Sequence, residues 1–221
     1  MTPMPASSRP HLGQPVAAAG PPLSEAEGAA VLLHGRGAPA EDMLGLAAEL
    51  DQTGVAFLAP QASAYSWYPQ SFLAPLDRNE PWLSSALDLV ATVLRRIGDA
   101  GVPPRRTLLL GFSQGACLAL EFAARNPASY GGVAGLSGGL IGPPGTPRDY
   151  AGRLDGVPVF LGCSDVDPHI PLERVEETGR VMAGMGAEVT TRVYPRMGHT
   201  VNQDELDAVR ALLEAARAGR R

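Results

Sequence analysis

The stretch Leu108-Leu109-Leu110-Gly111-Phe112-Ser113-Gln114-Gly115-Ala116 leaves this chain little choice of architecture. An uninterrupted apolar run ends in G-x-S-x-G, and a helical stripe through Leu118, Leu120, Phe122 and Ala123 follows at once. A strand that enters a helix through a very tight turn satisfies all three parts. Bulky residues two before and two after the serine would clash in that turn, hence Gly111 and Gly115. The serine hydroxyl then projects from the sheet at a helix N-terminus. The blander reading is a serine N-cap after a glycine turn, and the strand before and helix after weigh against it.

The rest of the chain repeats the same grammar. Apolar runs at Ala29–Leu33, Val55–Ala59, Thr107–Leu110, Gly132–Leu136, Val157–Leu161 and Glu188–Tyr194 alternate with amphipathic stretches. Several runs are apolar continuously, which suits strands covered on both faces. Helical stripes run through Met43, Leu46, Ala47 and Leu50, through Leu83, Leu87, Val90, Leu94 and Ile97 after Pro81, and through Leu206, Val209, Leu212 and Leu213. Gln14–Ala19 reads as a short edge strand. The pattern predicts an α/β fold, a mostly parallel, doubly wound sheet flanked by helices, with no large cap domain. At 221 residues one domain over residues 11–221 is expected, after a disordered Pro/Ser-rich start at 1–10.

Composition narrows the function classes. A formal net charge of −5 argues against a nucleic-acid binder. All 18 basic residues are arginine, which removes any chemistry that needs a lysine amine. The two cysteines, Cys117 and Cys163, and the scattered histidines show no zinc spacing, so no metal or organic cofactor is expected. No run reaches the roughly 20 apolar residues of a membrane span, and no export signal is visible. The expectation is a cytoplasmic protein without stable membrane insertion, with homo-oligomers left open.

A serine nucleophile needs a base and an orienting acid, supplied by loops after later strands. His199 follows the run ending at Tyr194 and precedes the final helix, whereas its competitor His169 comes too early. The acid lies in Gly162-Cys163-Ser164-Asp165-Val166-Asp167-Pro168. Asp167 is favoured because Pro168 holds it extended, and Asp165 remains the alternative, better suited to bracing the turn. Oxyanion donors are expected from the backbone N–H of Gln114, at the helix N-terminus, and of Arg36, in His34-Gly35-Arg36-Gly37. His34 reads as a shaper of that loop, and Cys117 as core. The Arg36 side chain is expected to pair with Glu41 or Asp42, against the alternative that it meets a substrate carboxylate. About 20 residues between Ala59 and Pro81 lack a helical stripe and carry Tyr65, Trp67, Tyr68 and Phe72. They are expected to form an ordered pocket wall with Trp67, Tyr68 and Phe72 binding substrate, the alternative being rings that plug a core edge.

HGRG at 34–37, GFSQGA at 111–116, DPHIP at 167–171 and YPRMGHT at 194–200 together resemble the phospholipase/carboxylesterase family of α/β-hydrolases. That family includes bacterial carboxylesterases and acyl-protein thioesterases. The resemblance implies the α/β-hydrolase fold, the triad Ser113, Asp167 and His199, and oxyanion N–H groups at Arg36 and Gln114. It therefore selects Asp167 over Asp165. Arg36 departs from the leucine that thioesterases carry there, so their specificity is not carried over. The implied activity is hydrolysis of small-molecule carboxylic esters of small to medium acyl chains through an acyl-enzyme. Acyl-thioester or lysophospholipid hydrolysis is the alternative, and a non-catalytic ligand binder on the same fold is the outlying one.

Overall fold

The structure is a computed structural model that describes residues 9–50 and 52–219. The expected disorder over 1–8 lies outside the described residues, while Arg9 and Pro10 enter a turn closed by a Leu12 N–H to Arg9 carbonyl bond. The described strands are β1 (Val16–Ala19), β2 (Gly28–Leu33), β3 (Val55–Pro60), β4 (Thr107–Phe112), β5 (Gly132–Leu136), β6 (Pro158–Ser164) and β7 (Glu188–Tyr194). They form a seven-stranded sheet in the order β1-β3-β2-β4-β5-β6-β7. β1 pairs antiparallel with β3, and every other pairing is parallel.

Helices α1 (Ala40–Leu50), α2 (Trp82–Asp99), α3 (Gln114–Arg125), α4 (Leu172–Gly184) and α5 (Gln203–Arg217) cover both faces. Alternation along each strand divides the core. Val31 and Leu33 pack with α2, α3 and α4, whereas Ala30 and Leu32 pack with α1 and α5. β7 is the terminal strand, and most of its residues are exposed. Its apolar reading in the sequence overstated its burial for that reason.

Two features depart from the expected pattern. No stripe announced α4, because its buried positions mix Arg174 and Thr178 with Val175, Gly179 and Met182. Residues 137–157, between β5 and β6, contain no helix, although the alternation would place one there. The chain passes from β2 to β3 on one side and returns to β4 on the other. The order therefore reverses between β2 and β4, and their carboxyl ends open a crevice of the kind in which doubly wound sheets bind ligands.

Candidate active site

Ser113 stands at the mouth of that crevice, with φ 54° and ψ −119°, a conformation that costs a non-glycine residue roughly 1–3 kcal/mol. The tight turn demands its glycines. A Cβ on Gly111 would lie 2.2 Å from the Gly115 carbonyl oxygen, and one on Gly115 2.0 Å from that of Leu33. The strain is held in place by the surroundings, since the Ser113 N–H donates to Leu136 O at 2.9 Å.

Loops after β6 and β7 bring the other two polar residues to it. The Ser113 hydroxyl donates to His199 Nε2 at 2.9 Å, and His199 Nδ1–H donates to Asp167 Oδ2 at 2.7 Å. A carboxylate can only accept, so Asp167 fixes this tautomer. Asp167 Oδ1 accepts the N–H groups of His169 at 2.8 Å and Ile170 at 3.1 Å. Burial pushes the Asp167 carboxyl up, but the His199 bond and those two N–H groups outweigh it and leave it below its ordinary value. Asp165 lies outside this relay, and its Oδ1 accepts the Arg196 N–H at 2.7 Å, bracing the turn that carries His199. The His199 ring sits between Phe112, at 5.0 Å, and His169, at 4.9 Å and edge-on.

Behind His199, α5 starts with a reciprocal cap between Asn202 and Glu205. Glu205 is fully buried, and burial pushes its carboxyl up to about 7. Gly162 makes room for it, because a Cβ there would lie 2.2 Å from Glu205 Oε1.

A cavity of about 490 Å³ opens at Ser113 and His199, and Arg36, Gln114, Cys117, His169 and Ile170 border it. Tyr68 and Phe72 belong to its wall, as do the intervening residues 69–71. Trp67 is a correction: it is fully buried, is not among the described residues bordering the cavity, and donates its Nε1–H to His34 O at 2.8 Å. Its ring plugs the core edge. Cys117 is buried, and burial pushes its thiol up to about 12, which leaves it inert. His169 and Ile170 are wall residues that motif reading missed. Their signal was present in DPHIP, where the acid and the wall share one short loop.

Arg36 supplies a second correction. Its guanidinium makes no salt bridge with Glu41 or Asp42 among the described residues. It donates instead to Ser66 Oγ at 3.0 Å, Pro69 O at 3.0 Å and Gln70 O at 2.6 Å. His34 is buried, and its Nε2 accepts the Ala62 N–H at 3.0 Å while its Nδ1–H meets Gly35 O at 2.7 Å. As N1 of α3, Gln114 has a backbone N–H with no intrahelical acceptor.

A family model described as phospholipase/carboxylesterase matches residues 17–216. A crystal structure of a phospholipase/carboxylesterase from Dyadobacter fermentans superposes with a TM-score of 0.87 at 40% identity, covering 91% of this chain and 97% of that one. The acyl-protein thioesterase 1 of Gibberella zeae is 35% identical over 118 residues, 52% of this chain and 50% of that protein. A Nocardia uniformis protein described as an esterase, NocK, is 32% identical over 173 residues, 76% of this chain and 48% of that protein. The chain thus spans about half the length of these curated relatives. No described helix is long and apolar enough to cross a membrane.

Proposed function

The chain belongs to the phospholipase/carboxylesterase family, and on that premise we propose that it is a serine carboxylesterase for esters of small to medium acyl chains. The observation that carries this reading is the unbroken relay Ser113–His199–Asp167, with contacts of 2.9 and 2.7 Å around a strained serine. Ser113 Oγ attacks the ester carbonyl while His199 Nε2 takes its proton, and the same imidazole then protonates the leaving alcohol. Asp167 keeps Nε2 free to accept and stabilises the imidazolium. Backbone N–H groups of Arg36 and Gln114 hold the developing oxyanion, the latter aided by the positive end of α3. Water then attacks the acyl-Ser113 ester through the same base and releases the acid.

Phe72 and Ile170 give the cavity of about 490 Å³ an apolar border against which an acyl chain can lie. The similarity to a protein named acyl-protein thioesterase keeps thioesters as the second reading. A non-catalytic binder has no use for a strained serine hydrogen-bonded to an oriented histidine.

The test is Ser113→Ala, which removes one small hydroxyl and leaves the turn intact. Turnover of p-nitrophenyl butyrate should fall by roughly four to six orders of magnitude, and labelling by a fluorophosphonate should vanish. Activity near that of the wild type in the purified variant sinks the assignment. Matched short esters, acyl-thioesters and lysolipids then decide between the two substrate classes.

A further inference from the structure

Residues 66–71 run into the cavity wall, which begins at Tyr68, without any ladder of backbone bonds, so side chains satisfy most of their carbonyls. Each of the last four does find a donor. Gln114 Nε2 donates to Tyr68 O at 2.8 Å, Arg36 to Pro69 O at 3.0 Å and Gln70 O at 2.6 Å, and Asn79 Nδ2 to Ser71 O at 3.0 Å. Gln114 Oε1 also accepts the Trp67 N–H at 3.0 Å. The two residues that hold the wall on the Ser113 side are thus the same two to which the proposed mechanism assigns the oxyanion N–H groups. Further bonds bind the wall to the 34–37 loop: Gly37 N–H to Tyr65 O at 2.7 Å and Trp67 Nε1–H to His34 O at 2.8 Å. The Arg36 guanidinium lies over the Tyr68 ring, 5.9 Å from its centroid.

We propose that the Arg36 guanidinium is a positioning residue that locks the 34–37 loop to the wall at 66–70 and thereby fixes the Arg36 N–H for the oxyanion. This rests on the Ser113 reading above. Its effect falls on the chemical step and should be the same for neutral and anionic esters, because three of the donors of the planar fork are spent on the wall and the lock, not a substrate contact, is what the side chain supplies. Arg36→Leu keeps the backbone N–H and deletes the lock. A shift of the order of 1 Å in a positioned group costs roughly 10²-fold.

The experiment compares wild type, Arg36→Leu and Arg36→Lys on p-nitrophenyl hexanoate and on the mono-p-nitrophenyl ester of adipic acid, which ends in a carboxylate. The expected result for Arg36→Leu is a fall in kcat of about 30- to 100-fold, with KM within about threefold and the same factor on both esters. Arg36→Lys, which keeps the charge but loses the fork, should fall between the two. A kcat within threefold of wild type overturns the proposal. So does a loss confined to the adipate ester, which would make Arg36 a carboxylate receptor, and so does full activity in Arg36→Lys. Should Arg36→Leu fail to fold by circular dichroism, Arg36→Lys alone decides on the same two criteria. Ser113→Ala run in parallel separates the outcomes, since an inactive Ser113→Ala beside an undiminished Arg36→Leu sinks this proposal and spares the nucleophile.

Discussion

Two long connections without an α-helix flank the site, residues 61–81 after β3 and residues 137–157 after β5, and they are anchored by opposite chemistry. The first is held by single polar groups aimed at its backbone: the imidazoles of His11 and His34, the amides of Gln114 and Asn79, and the Arg36 guanidinium. The second is held by buried charge. Glu121 of α3, 1% exposed, takes the Ile141 N–H at 2.9 Å, the Tyr150 hydroxyl at 3.0 Å and Arg125 at 2.6 Å. Arg174 of α4, 4% exposed, donates to Leu140 O at 2.7 Å and Gly142 O at 2.6 Å and pairs with Glu177. The connections meet where the Gly142 N–H donates to Phe72 O at 2.7 Å. Anchors of the first segment include residues of the site itself, so loosening it disturbs chemistry. Anchors of the second sit on helices behind the site, so loosening it disturbs the fold.

The largest consequence concerns charge. Glu121→Ala strips a buried carboxylate from Arg125 and leaves the Ile141 N–H and the Tyr150 hydroxyl without their acceptor, two losses of about 1–3 kcal/mol each. The thermal midpoint should drop by roughly 10 °C, while kcat/KM of the folded fraction, assayed well below that midpoint, stays within about threefold of wild type. A variant that melts normally but loses turnover would reverse the roles assigned to the two connections.

Asn79→Ala is the matching cut in the first segment. Asn79 is buried, accepts the Gln70 N–H at 2.8 Å and donates to Ser71 O at 3.0 Å. Unpairing these groups should destabilise by about 1–3 kcal/mol, less than Glu121→Ala does. Its kcat/KM should nevertheless fall about tenfold, equivalent to about 1.4 kcal/mol, because residues 69–71 border the cavity. Steady-state kinetics and thermal melts on the two variants give the crossed pattern directly, and parallel losses in both would erase the distinction.

The same contrast explains what could be read from the sequence. The sheet was legible because β2, β4 and β5 are apolar without interruption, and Gly111, Ser113 and Gly115 placed the turn at the end of β4. Aromatic crowding marked 61–81 as ordered, yet it could not say that Trp67 would turn into the core while Tyr68 bordered the cavity. That choice depends on the His34 carbonyl, a partner 33 residues away in sequence. The Arg36 side chain was assigned to its sequence neighbours Glu41 and Asp42, whereas its acceptors are three wall groups 30 to 34 residues away. The alternation of strand and helix would place a helix in residues 137–157, where the chain runs instead through Gly138, Gly139, Gly142, Pro143, Pro144 and Gly145. Their anchors, Glu121 and Arg174, look like solvated helix faces until the tertiary fold buries them.

The smallest effect is one of order in acid titration. His11 Nε2–H donates to Trp67 O at 3.0 Å while its Nδ1 accepts the Ser63 N–H at 3.0 Å, and His34 Nε2 accepts the Ala62 N–H in the same way. Each imidazole must stay neutral to accept, and protonation would set N–H against N–H. Burial, the largest influence on both, lowers their pKa below the ordinary 6.5. A depressed folded value means that their stabilisation is present above pH 6.5 and is lost as pH falls through the folded value. Among the anchors of the second segment, burial raises the Glu177 carboxyl on α4, but its bonds to Arg148 and Arg174 outweigh this and hold it below the ordinary 4.5. Its stabilisation is present above pH 4.5 and disappears only on further acidification. Both tryptophans of the chain, Trp67 and Trp82, lie 5.7 and 5.4 Å from the His11 ring, so their fluorescence reports the first segment. Tryptophan emission should begin to change below pH 6.5 while far-ultraviolet circular dichroism holds until below pH 4.5. If the two signals move together, the segments unfold as one unit and the division between them fails.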